Sequence, residues 1–389
     1  MLLLLLAAQL VAAGAPSQAN PVVIGEVVHL RSNVLKEERT LLISKPAGYA
    51  EGADRYPVLY VLDGETLFRS SSAIAEFLAA SDRIPEMLVV AIESGSFAQR
   101  TRDLTPPSSA EIDNRFSPGN GGADAFLSFV ADELIPFVDK TYRTRPYKVL
   151  VGHSFGGLFA IHALTAKPKL FNAYIAIDPT LTWNGGAEVA KAESLFSKTP
   201  ELQGDLCLTA ASPTGNSPGD IRGLATVLER KAPAGFRWNF EWMKQETHIS
   251  IPLRSIHQGL DAIFDGWHLA DPLELYDKGG IQAVHRHFRE GGRRCGYDRT
   301  TSPFTVSLIV AGLVKAGRLD EASKVLLHDP KAYPPPWNQL DALARAYAAR
   351  GEPAQAIRYY TLSLQANPRN EWAKQKLAEM QGKPATSPR

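Results

Sequence analysis

Residues 148–166 read KVLVGHSFGGLFAIHALTA, and few folds can hold them. The run Lys148–His153 is nearly all apolar, and an apolar helical segment follows from Phe155 with almost no spacer. A strand that is apolar on both faces must be covered on both faces, which is the situation inside a parallel sheet flanked by helices. Between the two segments stands Gly152-His153-Ser154-Phe155-Gly156-Gly157. Glycines at 152 and 156 permit a strand-to-helix turn too tight for side chains, and they let the helix approach the strand closely.

The same alternation runs from about residue 21 to 267. Strands are expected at 22–30, 40–46, 57–63, 88–93, 148–153, 173–178, 205–211 and 236–243. Helices are expected at Ala123–Tyr142, where Phe126, Phe129, Val130, Leu134, Phe137 and Val138 recur at helical spacing, and at Phe155–Ala166. Strand–helix alternation of this length implies a doubly wound α/β sheet, of the α/β-hydrolase type if the Ser154 turn is a nucleophile turn. After Pro303 the pattern becomes helical and repeats at 34 residues. Ala322 pairs with Ala356, Leu313 with Tyr347, Pro303 with Trp337 and Leu326 with Tyr360. Trp337-x2-Leu340-x2-Leu343-Ala344-x2-Tyr347, then Ala356, Tyr360 and Pro368, fits a tetratricopeptide repeat. The copy at 303–336 is degenerate, and Asn370–Met380 is expected to cap the array. The resulting division is a signal peptide at 1–19, an α/β domain at 20–268, a linker with a short helix at 269–302 and helical repeats at 303–382.

Leu2–Ala13 is an apolar run too short to span a bilayer and is followed by small residues, so export to the periplasm is expected; the other reading is an apolar end of a cytosolic chain. No later segment carries 18 uninterrupted apolar residues, so no membrane span is expected. Lys+Arg 42 against Asp+Glu 41 gives no reason to expect nucleic acid as a partner. Two cysteines, Cys207 and Cys295, make neither a disulfide framework nor a zinc site. The basic cluster Arg286, Arg289, Arg293 and Arg294 reads as a solvated surface.

An alcohol is a poor nucleophile at neutral pH and needs a base for its proton and donors for the oxyanion that forms. Ser154 on the glycine turn is the nucleophile candidate. The base must be a histidine after the last strand, and His248 in KQETHISIP has that position. The acid is expected in the loop after the seventh strand, where Asp220 is the one carboxylate. Asp178, at the end of the sixth strand, is the alternative; Glu246, or no acid at all, are the others. Backbone N–H groups of Phe155 and Glu65 are the oxyanion candidates, the latter after Gly64 at a strand end.

In order along the chain, SNVLKEERTLLISKPAGY, YPVLYVLDGE, RTRDLTP, ELIPFVDKTYRT, VGHSFGGLFA, PTLTW, ETHIS and FDGW resemble the putative-esterase (esterase D-like) family of α/β-hydrolases. That family includes siderophore and feruloyl esterases and mycolyltransferases, and a subgroup with C-terminal tetratricopeptide repeats resembles the whole chain. The resemblance implies Ser154 as nucleophile, His248 as base and Glu65 and Phe155 as oxyanion donors. It also implies Arg100, Arg102 and Asp103 on a loop beside the site and Trp183 as a pocket wall. An internal ion pair is the competing reading of the arginines, and a core position that of Trp183. Two departures concern the acid: Ser212 and Pro213 stand where many relatives place a carboxylate, and Asp178 stands before Pro179 where the family reads Pro-Ser.

The expected activity is ester hydrolysis through an acyl-enzyme on Ser154, with a small-molecule ester as partner and no metal or organic cofactor. The competing readings are acyl transfer to an acceptor other than water, and a binding protein whose repeats engage a protein partner.

Overall fold

The computed structural model describes residues 21–211, 218–328 and 334–382; the apolar run at 1–19 and most of the loop at 212–220 lie outside them. The described strands are β1 (Glu26–Arg31), β2 (Glu38–Ser44), β3 (Tyr56–Val61), β4 (Leu88–Ile92), β5 (Thr144–His153), β6 (Ala173–Ile177), β7 (Gly204–Ala210) and β8 (Phe236–Trp242). They form one sheet in the order β1-β2-β4-β3-β5-β6-β7-β8. The β1–β2 and β2–β4 pairings are antiparallel and the remainder parallel. All eight lie where apolar runs predict strands. Every residue of β3, β4 and β6 is buried, as strands covered on both faces require.

The helices of this domain are α1 (Gly64–Ala80), α2 (Phe97–Leu104), α3 (Glu111–Phe116), α4 (Ala123–Phe129), α5 (Ile135–Thr141), α6 (Phe155–Ala166), α7 (Ala187–Lys198), α8 (Pro218–Lys231) and α9 (Ile251–Ile263). Leu67 of α1 and Ile256 of α9 fill the core on one face of the sheet. Phe126 of α4, Leu158 of α6 and Leu224 of α8 fill it on the other. The helix predicted over Ala123–Tyr142 is interrupted: Val130–Leu134 widens to a π turn between α4 and α5. Pro136, the second residue of α5, has no N–H to continue the α ladder.

The segment predicted as a linker is mostly helix. α10 (Pro272–Arg294) is kinked at Gly279–Gly280, where Gly280 has φ 65°. It bridges two cores. Val284 and Phe288 pack into the C-terminal cluster, while Cys295, at its end, packs with Trp267 and Phe264 of the α/β domain. Burial supplies what four glycines in one helix withhold in propensity. Cys207 and Cys295 are both free and buried, and burial pushes each thiol up to about 12.

The repeats follow as α11 (Pro303–Lys315), α12 (Leu319–Leu326), α13 (Trp337–Ala349), α14 (Pro353–Ala366) and α15 (Glu371–Met380). Ala322 and Ala356, 34 positions apart, are fully buried small residues at which helices meet closely. Tyr347 of α13 stacks on Tyr359 of α14 with ring centroids 5.4 Å apart. No described helix is long and apolar enough to cross a membrane.

Candidate active site

Ser154 stands alone between the end of β5 and the start of α6, at φ 60° and ψ −114°. A non-glycine residue there is strained by about 1–3 kcal/mol, and the surroundings must hold it. They do so by backbone: the Ser154 N–H donates to the carbonyl of Ile177 (3.0 Å), and the Ser154 carbonyl accepts from Leu158 (3.0 Å) and Thr180 (3.2 Å). The two glycines are steric necessities. A Cβ on Gly152 would lie 2.0 Å from the Gly156 carbonyl oxygen, and one on Gly157 would lie 2.9 Å from the Pro179 side chain. Thr180 Oγ1 is 3.4 Å from Ser154 Oγ. The PTLTW segment therefore contributes a neighbour that chain order alone did not single out.

His248 lies in the turn after β8, and its Nδ1 is 2.7 Å from Oδ2 of Asp178. Asp178 follows β6 directly, at φ 40°, and is buried. Its N–H donates to the Thr209 carbonyl (2.9 Å) and its Oδ1 accepts from the Ala211 N–H (3.2 Å), so the carboxylate is bolted to the end of β7. The partner of His248 is thus Asp178 and not the first expectation, Asp220, which sits in the first turn of α8. Glu246 is also turned elsewhere, accepting from Ser250 Oγ at 2.6 Å. The physical reason is sheet order. β6 lies between β5 and β7, so its end adjoins both Ser154 and Ala211 at the end of β7.

His153 is a further member of the site that sequence order had excluded as a base. Its ring lies 4.5 Å from that of His248 and bonds the His248 backbone. Burial, helped by the neighbouring His248, lowers its pKa to about 4.

On the other side of Ser154, Asp63 caps α1 in the left-handed region at φ 56°. A Cβ on Gly156 would lie 3.4 Å from the Asp63 carboxylate and 3.5 Å from Leu62, which brings the N-termini of α1 and α6 together. First-turn N–H groups of a helix have no intrahelical acceptor, and those of Glu65 and Phe155 belong to these two turns. The Glu65 side chain accepts from the Ser94 N–H at 3.0 Å, tying α1 to the end of β4.

Arg100 and Arg102 are on α2, a helix rather than the expected loop. Arg100 grips Asp63 through two bonds of 2.6 and 2.8 Å and reaches the His153 carbonyl at 3.2 Å. Arg102 bonds Asp103 (2.7 Å) and Glu37 (2.6 Å), and both carboxylates also hold the buried Arg39. The internal ion pair is therefore what the arginines form. Burial works to raise the Glu37 carboxyl, but Arg102 and Arg39 together lower it. Trp183 is 3% exposed and spends its indole N–H on the Pro106 carbonyl (2.8 Å); it packs edge-on against Phe155 instead of opening to a pocket. The apolar rim comes from residues the sequence did not single out. Phe97 (57% exposed) meets Phe116 (63% exposed), which meets Phe155. Ile249, next to His248, is exposed as well.

Residues 32–210 match the putative esterase family and residues 337–380 the tetratricopeptide repeat. The ferri-bacillibactin esterase BesA of Bacillus subtilis is 33% identical over 240 residues, covering 55% of this chain and 81% of the relative. The chain belongs to the putative esterase family. This esterase is also 32% identical over 163 residues to the siderophore triacetylfusarinine C esterase of Aspergillus fumigatus, covering 40% of this chain and 54% of that one. An IroE-like serine hydrolase from Shewanella oneidensis superposes with a TM-score of 0.63 at 28% identity, covering 77% of this esterase and 97% of the neighbour. The chain is a carboxylic ester hydrolase.

Proposed function

We propose that this esterase cleaves siderophore esters through an acyl-enzyme on Ser154, with His248 as base and Asp178 as its orienting acid. The observation that carries the mechanism is the 2.7 Å bond from Asp178 to Nδ1 of His248, one residue beyond the carbonyl that receives the Ser154 N–H. A proton held on Nδ1 leaves Nε2 as the basic nitrogen. His248 takes the Ser154 proton as Oγ attacks the ester carbonyl. The N–H groups of Phe155 and Glu65 receive the negative oxygen, where the dipoles of α6 and α1 favour it. His248 then protonates the leaving alcohol and later activates the water that frees the acid. The Asp178–His248 pairing supports the hydrolase reading over an inactive binding protein, which a chain with no carboxylate beside His248 would suit.

The substrate class rests on the names of the relatives, a ferri-bacillibactin esterase and a triacetylfusarinine C esterase, and on the rim of Phe97, Phe116 and Ile249, which suits a bulky, partly apolar ester. Export belongs to the same proposal and is carried by the apolar run Leu2–Ala13. The test is incubation of the wild type and Ser154→Ala with those two siderophores, with products read by mass spectrometry beside fluorophosphonate labelling. Wild type should take the label and release hydrolysed ester, and the variant should do neither. A wild type that ignores both siderophores and the probe would overturn the reading. Ester products formed with added alcohol would favour acyl transfer.

A further inference from the structure

We propose that His153 is a positioning residue for the base, bracing the ring that Asp178 orients so that it stays in line with Ser154, on the reading that Ser154 and His248 are nucleophile and base.

The need for a second hold follows from where His248 stands. It lies between β8 and α9, outside any strand or helix, and its side chain is 25% exposed. The 2.7 Å bond to Asp178 fixes one point of the ring, Nδ1, and a single hydrogen bond leaves the tilt of the ring open. A base acts only within hydrogen-bond reach of its proton, and a misplacement of about 1 Å can cost about 10²-fold in rate.

His153 meets that need at two points. Its ring lies 4.5 Å from the His248 ring, centroid to centroid, with 41° between the planes, so the base cannot tilt towards it. It also bonds the His248 backbone, in a contact that favours the protonated form of His153. A contact of that sign is an N–H donated by the ring, and the backbone group that accepts is the carbonyl. One residue thus braces both the side chain and the main chain of the base.

The brace is itself held. His153 is the last residue of β5, inside the sheet, and pairs in register with Ile177, the residue before Asp178. The two groups that hold His248 therefore leave neighbouring strand ends at matched positions. The His153 carbonyl accepts from Arg100 Nη2 at 3.2 Å, and Arg100 is gripped by Asp63 at the start of α1. Groups carried by strands and locked by such neighbours keep a geometry that a loop alone does not.

The test compares full-length wild type, Ser154→Ala, His153→Leu and His153→Gln in p-nitrophenyl butyrate turnover and fluorophosphonate labelling, each well below its own melting midpoint. Leucine removes the donor, whereas glutamine keeps an N–H. His153→Leu should lose about 10–100-fold in kcat with KM within about twofold, and its labelling rate should fall by the same factor, because both reactions need the base. His153→Gln should lie between His153→Leu and wild type. In 15N-labelled wild type the His248 ring should be as ordered as rigid backbone, with an order parameter of about 0.85, a readout that needs no variant. A wild type that neither turns over nor takes the label would overturn both this proposal and the reading beneath it. A wild type that does both, with Ser154→Ala inert, leaves that reading standing. Beside it, an unchanged kcat in His153→Leu, a His153→Gln no faster than His153→Leu, or a mobile His248 ring would overturn the role of His153 alone.

Discussion

Asp178 and His248 are 70 positions apart and meet at 2.7 Å, because the chain turns into the left-handed region immediately after β6. The carboxylate is held from behind by the end of β7 and is buried, so it meets the imidazole in one geometry. Asp178→Asn should therefore lower kcat for p-nitrophenyl esters by about 10²–10⁴-fold, the range expected when a base loses the carboxylate that sets its tautomer. Asp220→Asn and Glu246→Gln should stay within about threefold of wild type. Equal losses in Asp178→Asn and Asp220→Asn would refute the assignment.

Gly152→Ala tests the turn itself. The new methyl would lie 2.0 Å from the Gly156 carbonyl oxygen, a backbone atom that cannot move without moving α6. Loss of at least about 3 kcal/mol of stability, or of soluble expression, is expected. Gly223→Ala, whose Cβ meets nothing within 4 Å, should melt as wild type or slightly higher.

Arg100 and Asp63 form a two-bond ion pair beneath the junction of α1 and α6, also joined by Ser94 Oγ at 2.7 Å. Arg100→Met leaves a buried carboxylate unpaired and should cost about 3 kcal/mol, partly recovered in Arg100→Met/Asp63→Asn. Chemical denaturation of the four proteins in the cycle measures the coupling, and additive losses would show that the pair does not act as a unit.

His153 makes the stability pH-dependent with a definite sign. In the folded chain its pKa is held near 4 by burial and by His248, whereas the unfolded chain binds the proton near the usual 6.5. Between those values the unfolded state carries more protons, so stability falls as the pH falls from about 6.5 toward 4, by at most about 3 kcal/mol. Melting temperatures from pH 8 to 4.5 should drop more steeply for wild type than for His153→Gln. Parallel curves would remove His153 as the cause.

The exposed Phe97–Phe116 pair reaches the ring of Phe155, the residue after Ser154, and gives this side of the site an aromatic face. Phe116→Ala and Phe97→Ala should raise KM severalfold for aryl esters while leaving kcat for p-nitrophenyl acetate within about twofold. A fall in kcat at constant KM would place these rings in the chemistry and not in binding.

The eight strands, the turn at Ser154 and the position of His248 were all legible in the sequence because each follows from local physics. Continuous apolar runs demand burial on both faces, Gly152 and Gly157 answer contacts within a few residues of themselves or one loop away, and a late histidine follows from chain order. Glycine-rich α10 was not legible, since its helicity rests on Val284 and Phe288 packing against a module that begins some fifteen residues later. Nor was the acid. Asp178 and Asp220 are equivalent as residues, each a carboxylate near a strand end, and the choice between them depends on which strand ends stand side by side. The sequence by itself determined the layers, the glycine turn at Ser154 and the candidate base His248; only the tertiary structure decided which carboxylate meets His248, the pairing of Arg100 with Asp63 and the meeting of His285 with His328, because those contacts join segments whose proximity exists only once the sheet and the helices are assembled.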